Sequence, residues 1–235
     1  MPNFLQANNL HAWYGSSHVL HGVDITIQAN QTVGLLGRNG MGKSTLIRTL
    51  LGLVPQRQGE ITIRGIHSID LPTHQVARLG VAYVPEGRGV FPNLSVRENL
   101  VMAAHAGRDG RKDWDLERVL DTFPRLKERF TNLGGQLSGG EQQMLAMARV
   151  LVGNPKLLLI DEPTEGLAPM VVAEIFQLME KLKKQGISIF LIEQNIHKAI
   201  HLCDRHYVVE RGSIVLEGNS KDAADRNSLI ERVSV

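Results

Sequence analysis

Gly37-Arg38-Asn39-Gly40-Met41-Gly42-Lys43-Ser44-Thr45 is the stretch on which the fold of this chain turns. The apolar run Val33-Gly34-Leu35-Leu36 precedes it and the helix-like Leu46-Ile47-Arg48-Thr49-Leu50-Leu51 follows, so the local order is strand, loop, helix. The pattern G-x-x-x-x-G-K-[ST] needs glycine because backbone N–H groups must turn inward onto phosphate oxygens, where a Cβ would block approach or forbid the dihedrals. Lys43 adds a point charge for the outer phosphates, and the Ser44 hydroxyl is available to Mg²⁺. The helix that follows points its positive end at the anion. A plain glycine turn is the simpler alternative, and the flanking strand and helix argue against it. Gly37 to Thr45 is therefore expected to hold a nucleoside triphosphate.

Working outward, 235 residues suffice for one large α/β domain, or a domain with a subdomain, around a sizeable core. A hydrophobic share of 43% with 21% charged residues excludes disordered and collagen-like classes. The net charge of +2 makes no electrostatic case for nucleic acid, and no basic stripe with interleaved aromatics supplies one. Lone Cys203 excludes an intrachain disulfide and the usual cysteine-rich zinc modules. Met1 to Gln6 lacks the charged start and apolar run of a signal peptide, and no apolar stretch approaches the roughly 20 residues that cross a bilayer. A cytosolic chain is expected; any membrane role needs another polypeptide to span.

Phe4 to Leu10 and Val23 to Ile27 read as strands, the second strictly alternating, as in a sheet wet on one face. Trp13-Tyr14-Gly15 lies between them, either poised to stack on a base or flanking a turn. Val54 to Gly59 reads as a turn, Glu60 to Gly65 as another alternating strand of the same antiparallel layer, Pro72 to Leu79 as a short helix, and Val81 to Pro85 as a buried strand. Glu86 to Leu94 is too rich in Gly and Pro to be regular, and Ser95-Val96-Arg97-Glu98 has capping-box spacing. From there to about Val152 the pattern is helical, broken by the Gly107–Gly110 loop and by Pro124. The shift from strands to helices predicts residues 87–152 as a helical subdomain inserted into an α/β core made of 1–86 and 153–235. Strands return at Lys156–Ile160, Ile187–Ile192, Tyr207–Val209 and Ile214–Leu216, with helices at Val171–Lys184 and Ile196–Leu202 and in the tail from Ser220.

Two further stretches carry chemistry. The apolar strand ends in Asp161-Glu162-Pro163, placing adjacent carboxylates at the carboxyl edge of a parallel sheet, where α/β proteins bind ligands. Beside a phosphate loop, Asp161 can hold Mg²⁺ directly or through water while Glu162 polarises the attacking water. An acidic strand-to-loop turn is common by itself; the phosphate loop raises the functional reading above it. Leu137-Ser138-Gly139-Gly140-Glu141-Gln142-Gln143 opens the helix-spaced run Met144 to Leu151. Ser-Gly-Gly there is an anion site by geometry, or simply a good N-cap.

Taken together, these stretches resemble the ATPase subunit of an ABC transporter, over the chain from its N-terminus to about Gly218. The resemblance puts Tyr14 in the place of the base-stacking aromatic, Gly37 to Thr45 in Walker A, Leu137 to Gln142 in the signature and Leu157 to Glu162 in Walker B. It implies a P-loop NTPase core with an N-terminal antiparallel β layer, ATP and Mg²⁺ as ligands, and a head-to-tail dimer. In that dimer Ser138, Gly139 and Gly140 serve the partner's nucleotide.

Three positions depart from the general pattern. Glu86 stands where glutamine usually reaches toward Mg²⁺ and water; it can still face the metal, but it brings charge near the phosphates. Ala168 replaces an aspartate, and Gln194 replaces the histidine that contacts the γ-phosphate. These departures are compatible with a weak or silent ATPase. Together with Tyr83-Val84-Pro85-Glu86-Gly87-Arg88, Val90-Phe91-Pro92, Gly166-Leu167-Ala168-Pro169 and Ile192-Glu193-Gln194-Asn195, they resemble the branched-chain amino-acid and urea-type importer ATPases, in which the same replacements look habitual.

The expectation is thus an active ATPase subunit with Glu162 as base, Gln194 as γ-phosphate sensor, and Ser44, Asp161 and Glu86 on the metal side. Its partners are permease subunits, a second ABC ATPase and, indirectly, a solute-binding protein, at the cytoplasmic face of the inner membrane. A urea or amide importer and a non-transport nucleotide switch are the alternatives. A soluble ABC protein of translation or DNA repair should carry two cassettes or a long coiled coil, and neither is visible. His197 and His201 share a helix face without a third ligand motif, so packing or surface roles are expected.

Overall fold

The computed structural model describes residues 2–233. The chain opens with a long antiparallel hairpin, β1 (Asn3–Tyr14) and β2 (Ser17–Gln28), turned by Gly15 and Ser16. Both strands run beyond the alternating apolar segments that mark them in the sequence, so Trp13 and Tyr14 lie inside β1. Trp13 pairs with His18 and His11 with His21. After β3 (Thr32–Leu36), the glycine loop and α1 (Lys43–Leu50), the chain returns in β4 (Gln56–Ile63) and the two-residue β5 (Ile66–His67). These complete a sheet of order β2-β1-β4-β5. β4 starts within what reads as a turn, because Gln56, Arg57 and Gln58 pair with Trp13, Ala12 and His11. Ladder pairing outweighs their polar composition.

α2 (Thr73–Arg78) leads to β6 (Val81–Val84). Helices α3 (Val96–Ala103), α4 (Leu116–Thr122), α5 (Pro124–Glu128) and α6 (Gly139–Leu151) follow. Ser95 caps α3 through the anticipated box with Glu98, and Pro124 starts α5 at the break after α4. The remainder alternates: β7 (Leu157–Asp161), α7 (Pro169–Lys184), β8 (Ser188–Ile192), α8 (Ile196–Leu202), β9 (Arg205–Glu210), β10 (Ser213–Asn219) and α9 (Ala223–Val233). The second sheet has the order β10-β9-β3-β8-β7-β6, with β10 antiparallel to β9 and the other neighbours parallel.

Every residue of β3, β7 and β8 is buried, as a parallel sheet covered on both faces requires. One face packs Leu35, Leu159, Phe190 and Ile192 against α1 and the antiparallel sheet. The other packs Leu36, Leu158, Ile160 and Leu191 against α3, α6, α7 and α8. Because the strands are parallel, the segments after β3, β6, β7 and β8 emerge at one edge: the glycine loop, Glu86, Asp161-Glu162 and Glu193-Gln194. Among the described residues no helix is long and apolar enough to cross a membrane.

Candidate functional site

The loop between β3 and α1 takes its shape from glycines with positive φ. Gly37 sits at φ 150°, and a Cβ there would come 2.5 Å from the Val209 carbonyl oxygen. Gly42, at φ 100°, stands at the N-cap of α1 with no side chain capping it, so the first-turn N–H groups face the pocket. Lys43 is buried: its Nζ donates to the carbonyls of Gly37 (2.9 Å) and Arg38 (3.0 Å) and to Asn39 Oδ1 (3.3 Å), and lies 3.3 Å from Glu162 Oε1. A pocket of about 340 Å³ is lined by Asn39, Gly40, Gly42, Lys43, Ser44 and Thr45, together with Glu86, Glu162 and Val19.

The carboxylates sit across this pocket in unlike surroundings. Asp161 is fully buried; its Oδ1 accepts from the Ser44 hydroxyl and its Oδ2 from the Tyr83 hydroxyl, each at 3.2 Å. Burial pushes the Asp161 carboxyl above the usual aspartate range, against the downward pull of those two hydroxyls. The Tyr83 phenol is pushed up to about 12, first by burial and then by the charge of Asp161, so it stays protonated and can donate at neutral pH. Glu162, at the αL angle φ 45°, is tied by its N–H to the Ile192 carbonyl (3.0 Å) and accepts from Gln194 Nε2. Gln194 is in turn fixed by buried Glu193, whose Oε1 takes the N–H groups of Gln194 (2.9 Å) and Asn195 (3.0 Å) and whose Oε2 takes the Thr164 hydroxyl (2.7 Å).

Among the described residues no group of three or more His, Cys, Asp or Glu is arranged to cage a metal. Mg²⁺ does not need such a cage, since it keeps several waters and takes one or two protein oxygens beside substrate phosphates. The Ser44 and Asp161 pair fits that demand: two hard oxygen donors at the pocket, one a buried carboxyl whose charged form a cation would favour.

Other residues expected at the site lie elsewhere on the same chain. Tyr14 is exposed at the end of β1 and does not line the pocket; the Arg48 guanidinium beside its hydroxyl is raised in pKa chiefly by that contact. Ser138, Gly139 and Gly140 open α6 away from the pocket. Ser138 forms a capping box with Glu141, and the space a Cβ on Gly139 would take is held by the Arg88 guanidinium, whose Nη1 donates to Gln142 Oε1 at 3.0 Å. Arg38 and Met41 face outward onto a second cavity of about 710 Å³ shared with Glu210, Arg211 and Arg232. His197 and His201 lie in α8 and join no metal cluster among the described residues.

Sequence reasoning missed Tyr83, Glu193 and Gly212. Tyr83 breaks the apolar pattern of its strand, which was a readable signal; Glu193 follows the apolar end of β8, as Asp161 ends β7. Gly212 gave no signal beyond a turn, yet its N–H donates to the Met41 carbonyl (3.0 Å) and a Cβ on it would lie 1.8 Å from the Val19 carbonyl oxygen.

Comparison with known proteins shows the family. The family described as ABC transporter matches residues 20–165. The high-affinity branched-chain amino acid transport ATP-binding protein BraG of Pseudomonas aeruginosa is 43% identical, over 90% of this chain and 91% of its own length. A probable branched-chain amino acid transport ATP-binding protein LivF of Archaeoglobus fulgidus is 37% identical over 93% of both chains. The lipopolysaccharide export system ATP-binding protein LptB of Haemophilus influenzae is 36% identical, over 92% and 90%. In structure, a nucleotide-free ATP-binding cassette from an ABC transporter superposes with TM-score 0.86 at 24% identity, covering 99% and 98% of the two chains. A dimeric post-hydrolysis cassette bound to ADP and Pi gives 0.78 at 28%, covering 93% and 99%.

Proposed function

This chain belongs to the ABC transporter family as an ATP-hydrolysing subunit, and from that premise we propose that it powers an importer of branched-chain or related amino acids. The observation that carries the cargo class is the 43% identity to BraG over nine-tenths of both chains. The 36% identity to LptB keeps a second reading in view, an export ATPase for a lipid-linked polysaccharide. Affinity-tagged chain recovered from native membranes tests both. Co-purification of amino-acid permease subunits supports import, and recovery of lipopolysaccharide-export subunits rejects it.

In the proposed reaction, Lys43 and the N–H groups of Gly40 to Thr45 hold the phosphates of ATP. Ser44 and Asp161 would hold Mg²⁺, with Glu86 facing the metal side of the pocket, and the ion when bound would supply positive charge beside the phosphoryl oxygens. Glu162 takes the proton of the attacking water, and Gln194 donates to the γ-phosphate while orienting Glu162. A second ATPase subunit, head to tail, brings its own Ser138, Gly139 and Gly140 equivalents over the nucleotide, and Tyr14 stacks on the base. Among importers of this type the pair is expected to contain two different ATPases. The loop from Glu86 to Asn93 and the segment 87–152 pass closure to permease subunits at the cytoplasmic face of the inner membrane, with a solute-binding protein feeding them from the other side.

Glu162→Gln tests the chemistry. It should retain ATP binding, lower turnover by about 10²-fold or more, and accumulate nucleotide-bound dimers in size-exclusion chromatography with light scattering. Unchanged phosphate release would reject Glu162 as the base.

A further inference from the structure

We propose that His11 and His18, on the outer face of the β1–β2 hairpin, form a two-imidazole site for a divalent late transition-metal ion such as Zn²⁺, Ni²⁺ or Cu²⁺. The proposal starts from register. His11 pairs with His21 across the hairpin and Trp13 with His18, with an irregularity between Ala12 and Trp13 that places Val19 in the bulge. All four rings consequently lie together on the open face of the sheet. His18 stacks on Trp13 at 4.4 Å between centroids and 12° between planes, and His21 lies 4.0 Å from His18.

Within this cluster the two nitrogens that face each other are His11 Nδ1 and His18 Nε2, 3.1 Å apart. That spacing is close to the roughly 3.3 Å separating two imidazole nitrogens on one tetrahedral ion with metal–nitrogen bonds near 2.0–2.1 Å. Both rings are already tied down, His11 through its far nitrogen. His11 Nε2 lies 3.1 Å from Asn9 Oδ1, and a backbone hydrogen bond to Leu20 holds His18. Ligating histidines are oriented in this way, the far ring nitrogen giving its N–H to an amide or carbonyl oxygen. With His11 Nε2–H donating to Asn9, Nδ1 presents its lone pair to His18, and a proton or a metal ion must lie between the facing nitrogens. A neutral ring is the form a metal takes.

Imidazole nitrogen selects late first-row ions over Mg²⁺ and Ca²⁺, so the site is chemically distinct from the oxygen donors at Ser44 and Asp161. Two protein ligands leave the remaining positions to water. The described residues supply no third ligand in place, and His21 is the side chain nearest to joining.

The chain carries its own reporter, because Trp13 lies against His18 while the other tryptophan, Trp114, is buried. In full-length Trp114→Phe protein titrated with CuSO₄ or NiCl₂ in excess Mg²⁺, Trp13 emission should be quenched saturably, and EDTA should restore it. Zn²⁺ binding by calorimetry should show the same single class of sites. His11→Gln and His18→Gln should each weaken binding by about tenfold or more. Their Mg²⁺-dependent ATPase rate, without added Cu²⁺, Ni²⁺ or Zn²⁺, should match the parent, which separates ligand loss from misfolding. Titrations unchanged by both substitutions overturn the proposal, as does parent protein that shows no saturable quenching.

Discussion

Asp161 is a fully buried carboxyl whose proposed role as a Mg²⁺ ligand sets function against stability. Its folded pKa is raised, so between the ordinary aspartate value and the raised one the native state keeps a proton that the unfolded chain has lost. Stability therefore falls as pH rises through that window, and the cost is fully present above it. Asp161→Asn should remove the cost: at neutral pH its Tm should rise above the parent's, while ATP turnover collapses. Below the aspartate pKa the two melting curves should converge, and pH-resolved thermal melts check this. Some of the site was legible at this scale and some was not. Lys43, Ser44, Asp161 and Glu162 are marked by their position after apolar strands and within a spaced glycine pattern. Tyr83 reaches Asp161 from another strand, and no local pattern encodes a contact between residues so far apart in sequence. Tyr14 and the Ser138 to Gly140 stretch were marked in sequence too, yet within one chain they stand clear of the pocket.

At the scale of elements, the β9–β10 turn is the piece sequence reading undervalued. Its Gly212 is pressed against β2, where its carbonyl accepts from the His21 N–H at 2.8 Å, and it also holds the glycine loop through Met41. Gly212→Ala should destabilise by about 3 kcal/mol or more, because φ is 76° and a Cβ meets the Val19 backbone. Urea unfolding measures the loss, and weaker nucleotide binding should accompany it. The N-terminus of α6 makes the converse case. Ser138→Ala removes a capping box worth roughly 1 kcal/mol. If Ser138 serves ATP as proposed, turnover should fall far more than that modest loss of stability accounts for. Helices with a clear cap or proline start, such as α3, α7 and α8, were readable to within a residue or two, whereas α5 was read only as a break at Pro124. β1 and β4 were not, because polar residues such as His11, Gln56 and Gln58 enter the sheet through backbone pairing with a partner strand.

For the whole molecule, the head-to-tail reading gives a complementation test. Where two copies of this chain are made to pair without the second ATPase, Lys43→Ala and Ser138→Ala chains, each inactive alone, should regain activity when mixed, since a mixed dimer rebuilds one intact composite site. Continued silence of mixed dimers demonstrated by mass would mean that Ser138 acts within its own chain. The helices from α3 to α6 bear on the same scale in another way. Val96, Leu100, Leu126, Leu145 and Leu151 share one continuous buried cluster with Leu158, Ile160 and Leu191 of the central sheet. Heat should therefore melt the helical segment and the sheet as one cooperative unit. Scanning calorimetry should give a single endotherm whose van't Hoff and calorimetric enthalpies agree. If the segment transmits closure as proposed, it is a lever without a slack joint: any rotation it makes must slide or deform the interior it shares with the sheet.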